Sequence, residues 1–490
     1  MGYEASDFRR SRQSMVIEVP ETAVYDAFES VPNVVYSKEN IEKNKKQASI
    51  LGQGDSRSMM FQQRYYMILQ QLFRDSKFID VARGKRGADF PTISFFGKEE
   101  AKQEPVTVNG QSLFLIHSGE DTAWRFEITP AESLPGSTGI KVVFGMLSRG
   151  ENGKLCIEDI HQSVPVKIES MEATDDMITE NMFILAKGEM IDEVFNVYQM
   201  TLPPVPARSL CEASINLFGG PTELTEDLVI NTVGLSPEDS SIAVLSNVVL
   251  DNPETIDKLN LLFTGFEECD AVPQAFVLMG NFSSAPFNPF SGDSLRSLQR
   301  SFDQFGQLLA RHPVTLERAR IILVPGPTEP GYGLYPQPAL PDALVRGLSS
   351  RFPNVTLGSN PCRIRFYNRQ ITVFSGDNMQ RLRRGTLVAV QDRDSEKEAN
   401  MLVRCIMSQM HLLPGTARNH AAVWEYDTAL RIYPPPHALF LSDGHSDSFE
   451  KSVDSDTVFV SMPHFSSATT ATGEFQLYSP SSNETSPSSV

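Results

Sequence analysis

Residues 276–292, FVLMGNFSSAPFNPFSG, limit what this chain can fold into more than any other stretch. The apolar run Phe276-Val277-Leu278-Met279 stops at Gly280-Asn281, a polar loop broken by prolines follows, and amphipathic spacing begins at Ser294. A short apolar run of this kind suits a buried strand, the Gly-Asn pair a sharp turn, and the later period a helix. That order belongs to open α/β sheets, where binding and catalytic groups collect at the carboxyl ends of the strands. The same texture holds from residue 241 onward. It predicts strands at 242–245, 321–324, 355–357, 439–441, 457–461 and 474–478, with a hairpin of 364–366 and 371–374. Helices are expected at 253–263, 295–309, 340–352 and 399–410. Strands and helices alternating in this way imply a layered sheet covered by helices.

The first half reads differently. An apolar stripe of Phe61, Tyr65, Ile68, Leu69 and Leu72 predicts a helix over 57–75. From about residue 90 to residue 202, SLFLIHS, TAWRFEIT, IKVVFGMLSR, KLCIEDI, VPVKI, FILAKGEMI and EVFNVYQM are short apolar or alternating runs between turn residues. Asn152-Gly153 suits a hairpin. Short strands at this spacing, with a helical spacer before the last of them, predict an OB-fold barrel. OB-folds often bind single strands through exposed aromatics. Trp124, Phe126 and Phe144 are the candidates here, but Glu127, Glu151, Glu158 and Asp159 accompany them, so a scaffold or protein-interaction barrel is the favoured reading. Pro203-Pro204-Val205-Pro206 ends the barrel, because repeated prolines cannot join a central sheet.

The expected organisation is therefore an α+β multidomain chain. It has an N-terminal arm, partly disordered (1–56), a helix and connector (57–89), an OB-fold (90–206), a linker (207–240), an α/β domain (241–479) and a disordered Ser-rich tail (480–490). At 490 residues, more than one domain is expected, since single cores rarely outgrow roughly 250–300 residues. A net charge of −18 repels nucleic acid, whose affinity for proteins comes largely from Lys and Arg. No apolar run approaches a membrane span, and the N-terminus lacks the apolar core of a secretion signal. Five cysteines, far apart and never in a Cys-x-x-Cys pair, fit neither a zinc finger nor a disulfide framework, and suit a reducing cytoplasm or nucleus.

Longer motifs carry a resemblance. VLMGNFSSAPF, VPGPTEPGYG, NPCRIRFYNRQITVF and WEYDTALRIYPPPHALFL, with FGMLSRGENGKLCIED and FILAKGEMIDEVFNV in the barrel, resemble the B subunits of replicative DNA polymerases, those of the epsilon enzyme in particular. The likeness runs in order over residues 57–480. It implies an OB-fold β-barrel joined to a calcineurin-like metallophosphoesterase domain that has lost its activity. It also implies a non-catalytic nuclear subunit without a cofactor, which binds the C-terminal region of the catalytic subunit of DNA polymerase epsilon and other replication-complex subunits. Such a subunit meets DNA only indirectly or through the complex, and no membrane. Family members often carry a small helical domain ahead of the barrel, and residues 1–56 do not match it.

An active phosphoesterase needs Asp-x-His after the first strand of its sheet, but Asn247 and Val249 stand at those positions. It needs Gly-Asp after the second, to bridge two cations, and the chain has Gly280-Asn281. An amide is a neutral and poorer ligand for a hard cation than a carboxylate. The third motif, Gly-Asn-His, is replaced by Gly326-Pro327-Thr328. His411, and His445 with Asp447, are the remaining candidate ligands. No catalytic residue and no metal site are expected. The competing reading is a metal-dependent phosphodiesterase with an atypical set of His411, His445, Asp447 and Asp251. Gly376-Asp377 reads as a turn. Arg363, Arg365, Arg369, Arg381, Arg383 and Arg384 are the most basic region of the second half. They are either solvated or paired arginines, or a contact for an acidic partner segment or passing DNA.

Overall fold

The computed structural model describes residues 54–74, 78–80, 104–108, 111–118, 121–150, 152–169, 171, 173–208, 211, 240–331, 333–366, 369–388, 390, 394–415, 421–444, 447–453, 456–466 and 472–490. The N-terminal arm and most of the expected linker lie outside them. The chain forms two compact units. One combines residues 53–206 with 381–419, and the other holds 207–380 with 420–490.

The first unit contains β1 (Phe78–Asp80), β2 (Glu104–Val108), β3 (Gln111–Ser118), β4 (Asp121–Ile128), β5 (Ile140–Arg149), β6 (Leu155–Glu158), β7 (Ser163–Lys167), β8 (Phe183–Ile191) and β9 (Val194–Thr201). Strand β5 pairs with β6, β6 with β7, β7 with β9, β9 with β8, and β8 with β5 again, so five strands close into a barrel. Closure removes the edges of these five strands, while β1 and β2 end the extension of the same sheet through β4 and β3. The hairpin between β5 and β6 turns at Gly153, whose φ of 75° suits a residue without a Cβ.

The helix Ser56–Arg74 places Tyr65 with its ring centroid 5.1 Å from that of Phe144, and Phe144 stacks on Phe183 at 6.0 Å. Phe144 is 1% exposed. It packs the barrel instead of offering a face to bases, which corrects the expectation of an exposed aromatic there. The side chains of Trp124 and Phe126 lie outside the described residues.

Residues 381–419 break up the expected single run of 241–479. Their helix Ser395–Ser408 is capped by Asp394, which accepts from Lys397 N. Just past it, Gln409 brackets the backbone of Phe183, accepting from its N–H and donating to its carbonyl, both at 2.8 Å. Buried Asp176 accepts from Arg404 (3.1 Å), Thr201 Oγ1 and Leu202 N. Among the described residues of 168–182 no helical spacer stands. Bridges join Thr174 to Val390 and Thr179 to Thr386, so the insertion supplies partners that a helix would have found in itself.

The second unit contains β10 (Ile242–Leu245), β11 (Ala275–Met279), β12 (Arg320–Val324), β13 (Leu334–Tyr335), β14 (Val355–Leu357), β15 (Cys362–Phe366), β16 (Arg369–Ser375), β17 (Ala421–Ala422), β18 (Ala438–Ser442), β19 (Phe449–Ser452), β20 (Val458–Ser461), β21 (Glu474–Ser479) and β22 (Glu484–Ser489). One sheet runs β14-β12-β11-β10-β21-β22 and the other β15-β16-β18-β20-β19. Side chains alternate across a strand, and here the alternation divides two cores. Ala243, Leu245, Phe276, Leu278, Ile321 and Leu323 face the helices Pro253–Glu268, Gly292–Leu309 and Asp342–Ser349. Ile242, Val244, Val277, Met279, Ile322 and Val324 join Ile364, Val373, Phe440 and Val460 of the other sheet. Strands buried on both faces read as continuous apolar runs, which is why they are visible in the sequence.

The tail is not disordered. Strand β22 pairs antiparallel with β21, with Tyr478 opposite Thr485 and Gln476 opposite Pro487. Gly473 and Val490 exchange both backbone hydrogen bonds. Bonded pairs then recur every second residue, and Pro487 falls where its missing N–H would point away from the sheet. The turn is fixed by Arg369, which donates to the carbonyls of Pro480 (2.8 Å) and Ser481 (3.1 Å), and by Tyr478, whose hydroxyl donates to Asn483 Oδ1 (2.8 Å). Serine-rich composition hid a strand whose partners lie elsewhere in the chain. Deleting residues 480–490 is expected to cost about 2 kcal/mol, from the buried Tyr478 hydroxyl and the half-buried Arg369 guanidinium left without their acceptors, as read by urea denaturation of the full and shortened chains.

Candidate functional site

Three parallel strands of the six-stranded sheet, β10, β11 and β12, deliver their carboxyl ends side by side. Asn247 follows β10, Gly280-Asn281 follows β11, and Gly326-Pro327-Thr328 follows β12. The backbone turns left-handed at Asn247 (φ 52°), a conformation asparagine tolerates better than most residues. Asn281 lies between the other two. Its Oδ1 accepts from Thr328 Oγ1 (2.7 Å) and Thr328 N (3.2 Å), and its Nδ2 points to Asn247 Oδ1 at 3.5 Å. The structure thus brings together three of the positions singled out in the sequence. Val249 and Pro327 sit beside them, half-buried. The N–H of Val249 donates to Ser466 Oγ (2.9 Å).

A carbonyl oxygen has two lone pairs, and on Asn281 Oδ1 both are taken by Thr328. The trio carries no charge, so it offers no bridging anion. A two-metal phosphoesterase clamps both reacting oxygens with ions about 3.5–4 Å apart, and this donor set does not fit such a pair. Among the described residues, no group of three or more His, Cys, Asp or Glu is placed to hold a metal ion.

The residue that sequence reasoning missed is Glu329. It is 4% exposed. Its Oε1 accepts from Phe282 N (2.6 Å) and its Oε2 from Gly326 N (2.5 Å), tying the turn after β11 to the turn after β12. Burial pushes its pKa up to about 7, against the pull of the backbone N–H groups of Phe282, Gly326 and Ser283. The available signal was a glutamate shortly beyond a strand end and next to Pro330. The two turns interlock closely. A Cβ on Gly326 would lie 2.6 Å from Asn281 Oδ1 and 2.7 Å from the carbonyl carbon of Gly280. Asp251 sits at the edge of the cluster and holds the next loop, accepting from Ser283 Oγ (3.1 Å), Ser284 N (3.0 Å) and Ser284 Oγ (2.8 Å).

The remaining candidates scatter. His411 belongs to the barrel unit, buried, with Arg64 2.8 Å from its Nε2 and the Leu413 carbonyl 3.0 Å from its Nδ1. Guanidinium only donates, so Nε2 is the acceptor. Both nitrogens are engaged within the protein. His445 lies outside the described residues, and Asp447 is exposed. Gly376-Asp377 follows β16 in the second sheet. A Cβ on Gly444 would lie 3.9 Å from both Asp377 Oδ1 and His464 Cε1, so those groups gather at the ends of β16, β18 and β20.

The six arginines divide between the two units. Arg363, Arg365 and Arg369 lie on β15 and β16, while Arg381, Arg383 and Arg384 group with the barrel unit. Arg363 donates to the carbonyls of Ala429 (3.2 Å) and Arg431, and burial lowers its pKa to about 10. Arg369 holds the tail turn described above, and Arg383 pairs with Glu398. Arg365 and Arg381 also have partners, and Arg384 is exposed.

A closed five-stranded barrel and a two-sheet unit with the amide of Asn281 between its strand-end turns make up the two units of the chain. Two family models match it. Residues 54–204 match the OB-fold domain described as DNA polymerase epsilon subunit 2-like, and residues 242–451 match the family of the B subunit of DNA polymerases alpha and epsilon. The chain belongs to the B-subunit family of replicative DNA polymerases, in its epsilon branch. It is 36% identical over 324 residues to the B subunit of DNA polymerase epsilon from Arabidopsis thaliana, covering 65% of this chain and 61% of that protein. It is 32% identical over 334 residues to DNA polymerase epsilon subunit 2 of Homo sapiens, covering 66% and 62%. The Drosophila melanogaster subunit 2 is 28% identical over 86% of this chain and 74% of its own. The chain thus matches about three fifths of the length of the first two relatives. A solved structure described as a novel archaeal phosphodiesterase matches 51% of this chain and 99% of its own at 9% identity, with a TM-score of 0.27, below the level that establishes a shared fold.

Proposed function

We propose that the chain is a non-catalytic accessory subunit of the DNA polymerase epsilon complex in the nucleus. It holds the C-terminal region of the catalytic subunit and connects it to the other replication subunits. Its two-sheet domain is a calcineurin-like phosphoesterase fold that has lost its metals and serves as a platform. The observation that carries this reading is Asn281, whose Oδ1 has both lone pairs occupied by Thr328 where a bridging carboxylate would be needed. Family membership supports the same conclusion. A scaffold without a reactive centre acts through its surface, and a net charge of −18 disfavours DNA as a direct ligand.

Purification of the tagged chain from nuclear extract is expected to recover the large polymerase chain in near-equal amount. The purified chain is expected to hydrolyse no aryl phosphodiester above blank with Mn²⁺ or any other divalent ion. Recovery of the chain alone, or Mn²⁺-dependent turnover that falls in His445→Ala, would overturn the proposal.

A further inference from the structure

Val166-Lys167-Ile168-Glu169 lies where the barrel strand β7 ends. Among the chain's lysines, Lys167 alone has a large aliphatic residue before it and a glutamate two places after it. Side chains alternate along an extended segment, and here the alternation sorts the motif. The side chains of Lys167 and Glu169 are 50% and 77% exposed, while Val166 is buried in the barrel. Lys167 Nζ stands 3.2 Å from the Glu169 carboxylate. An ion pair this exposed holds weakly, so both groups are open to a larger partner.

The backbone pairing changes partner at this place. Residues 163–165 of β7 are registered with β6, and Val166 and Lys167 with β9. Beyond them the chain turns, with the Ile168 carbonyl accepting from Met171 N (3.1 Å). A strand end with two registered residues opens at lower cost than the middle of a sheet. Opening makes the four residues one extended segment, in which the valine is as accessible as the lysine and the glutamate.

We propose that Lys167 is the acceptor for a small ubiquitin-like modifier. Lysine is the side chain that such conjugation uses. The enzymes that transfer these modifiers read an aliphatic residue, the lysine and a carboxylate two places on, in an extended segment whose successive side chains carry the specificity. Lys167 Nζ attacks the carbonyl carbon of the thioester between the modifier's C-terminal glycine and the enzyme's cysteine. A C–N bond forms, the C–S bond breaks, and an isopeptide remains. Of the three ammonium protons, one stays on the new amide, one goes to the departing thiolate and one to solvent. Glu169 meets basic groups on the transferring enzyme and sets which lysine is used. The proposal stands apart from the accessory-subunit reading, since it needs only the surface of the barrel unit.

The test incubates the full-length chain with purified activating enzyme, conjugating enzyme, a small ubiquitin-like modifier and ATP. Conjugation is read as the gain of one modifier's mass, and its position by mass spectrometry of the branched peptide. One modifier on Lys167 is expected, and none there in Lys167→Arg. Glu169→Ala, with Lys167 intact, is expected to slow conjugation about tenfold or more, while Glu169→Asp, which keeps the carboxylate, restores most of the rate. Thermal melts of the three variants should match wild type, since both side chains are exposed. No conjugate overturns the proposal. So does conjugation spread evenly over other exposed lysines such as Lys154, or a rate at Lys167 that Glu169→Ala leaves unchanged. Each of these outcomes leaves the accessory-subunit reading standing.

Discussion

Replacing Glu329 by alanine is expected to cost about 4 kcal/mol of stability at pH 5, because two buried backbone donors lose their acceptor at about 1–3 kcal/mol each. Those donors are Phe282 N and Gly326 N. The cost should shrink as pH rises. Glu329 has a folded pKa of about 7, above the ordinary 4.5. Between those values the folded chain binds a proton that the unfolded chain has released. Stability therefore falls as pH rises through that window, and is constant above it. The wild type loses about 3 kcal/mol across the window from this group, while Glu329→Ala has nothing to titrate there. The difference between the two proteins is expected to narrow to about 1 kcal/mol by pH 8. Urea denaturation at pH 5, 6, 7 and 8 reads it directly. A difference that does not change with pH would show that the carboxyl titrates outside this range.

Gly326→Ala is expected to destabilise by about 3 kcal/mol, as an overpacked site does when its neighbours are backbone. The added Cβ would meet Asn281 Oδ1 and the Gly280 carbonyl carbon at 2.6 and 2.7 Å. Neither is the free end of a flexible side chain, since Asn281 is held by Thr328. Gly292 is the contrast. A Cβ there would meet only the Arg296 guanidinium, at 3.7 Å, and Gly292→Ala should fall within about 0.5 kcal/mol of wild type. A melt in which both variants match wild type would mean that the turns after β11 and β12 can move apart.

Much of this architecture was legible in the sequence. The central strands are buried on both faces, so Phe276–Met279 and Ile321–Val324 read as unbroken apolar runs. The barrel strands announced themselves by turn residues, as at Asn152-Gly153. The neutral positions Asn247, Asn281 and Thr328 could be found because strand ends are where such folds keep their chemistry. The rest depended on partners far away in the chain. Phe144 looks available to bases until Tyr65 packs on it, and nothing local in the sequence announces the contact of Arg64 with His411. The tail looks disordered because its serines say nothing of Arg369 or of the edge of β21.

Residue chemistry alone determined that the positions after β10, β11 and β12 hold two amides and a hydroxyl, and that the chain carries −18. Those properties belong to side chains whatever their surroundings. Only the tertiary structure decided that Thr328 takes both lone pairs of Asn281, that Glu329 ties two turns together, and that residues 381–419 complete the barrel unit. Hydrogen-bond saturation, burial and long-range pairing depend on which distant groups arrive within about 3 Å, and local pattern carries no record of that.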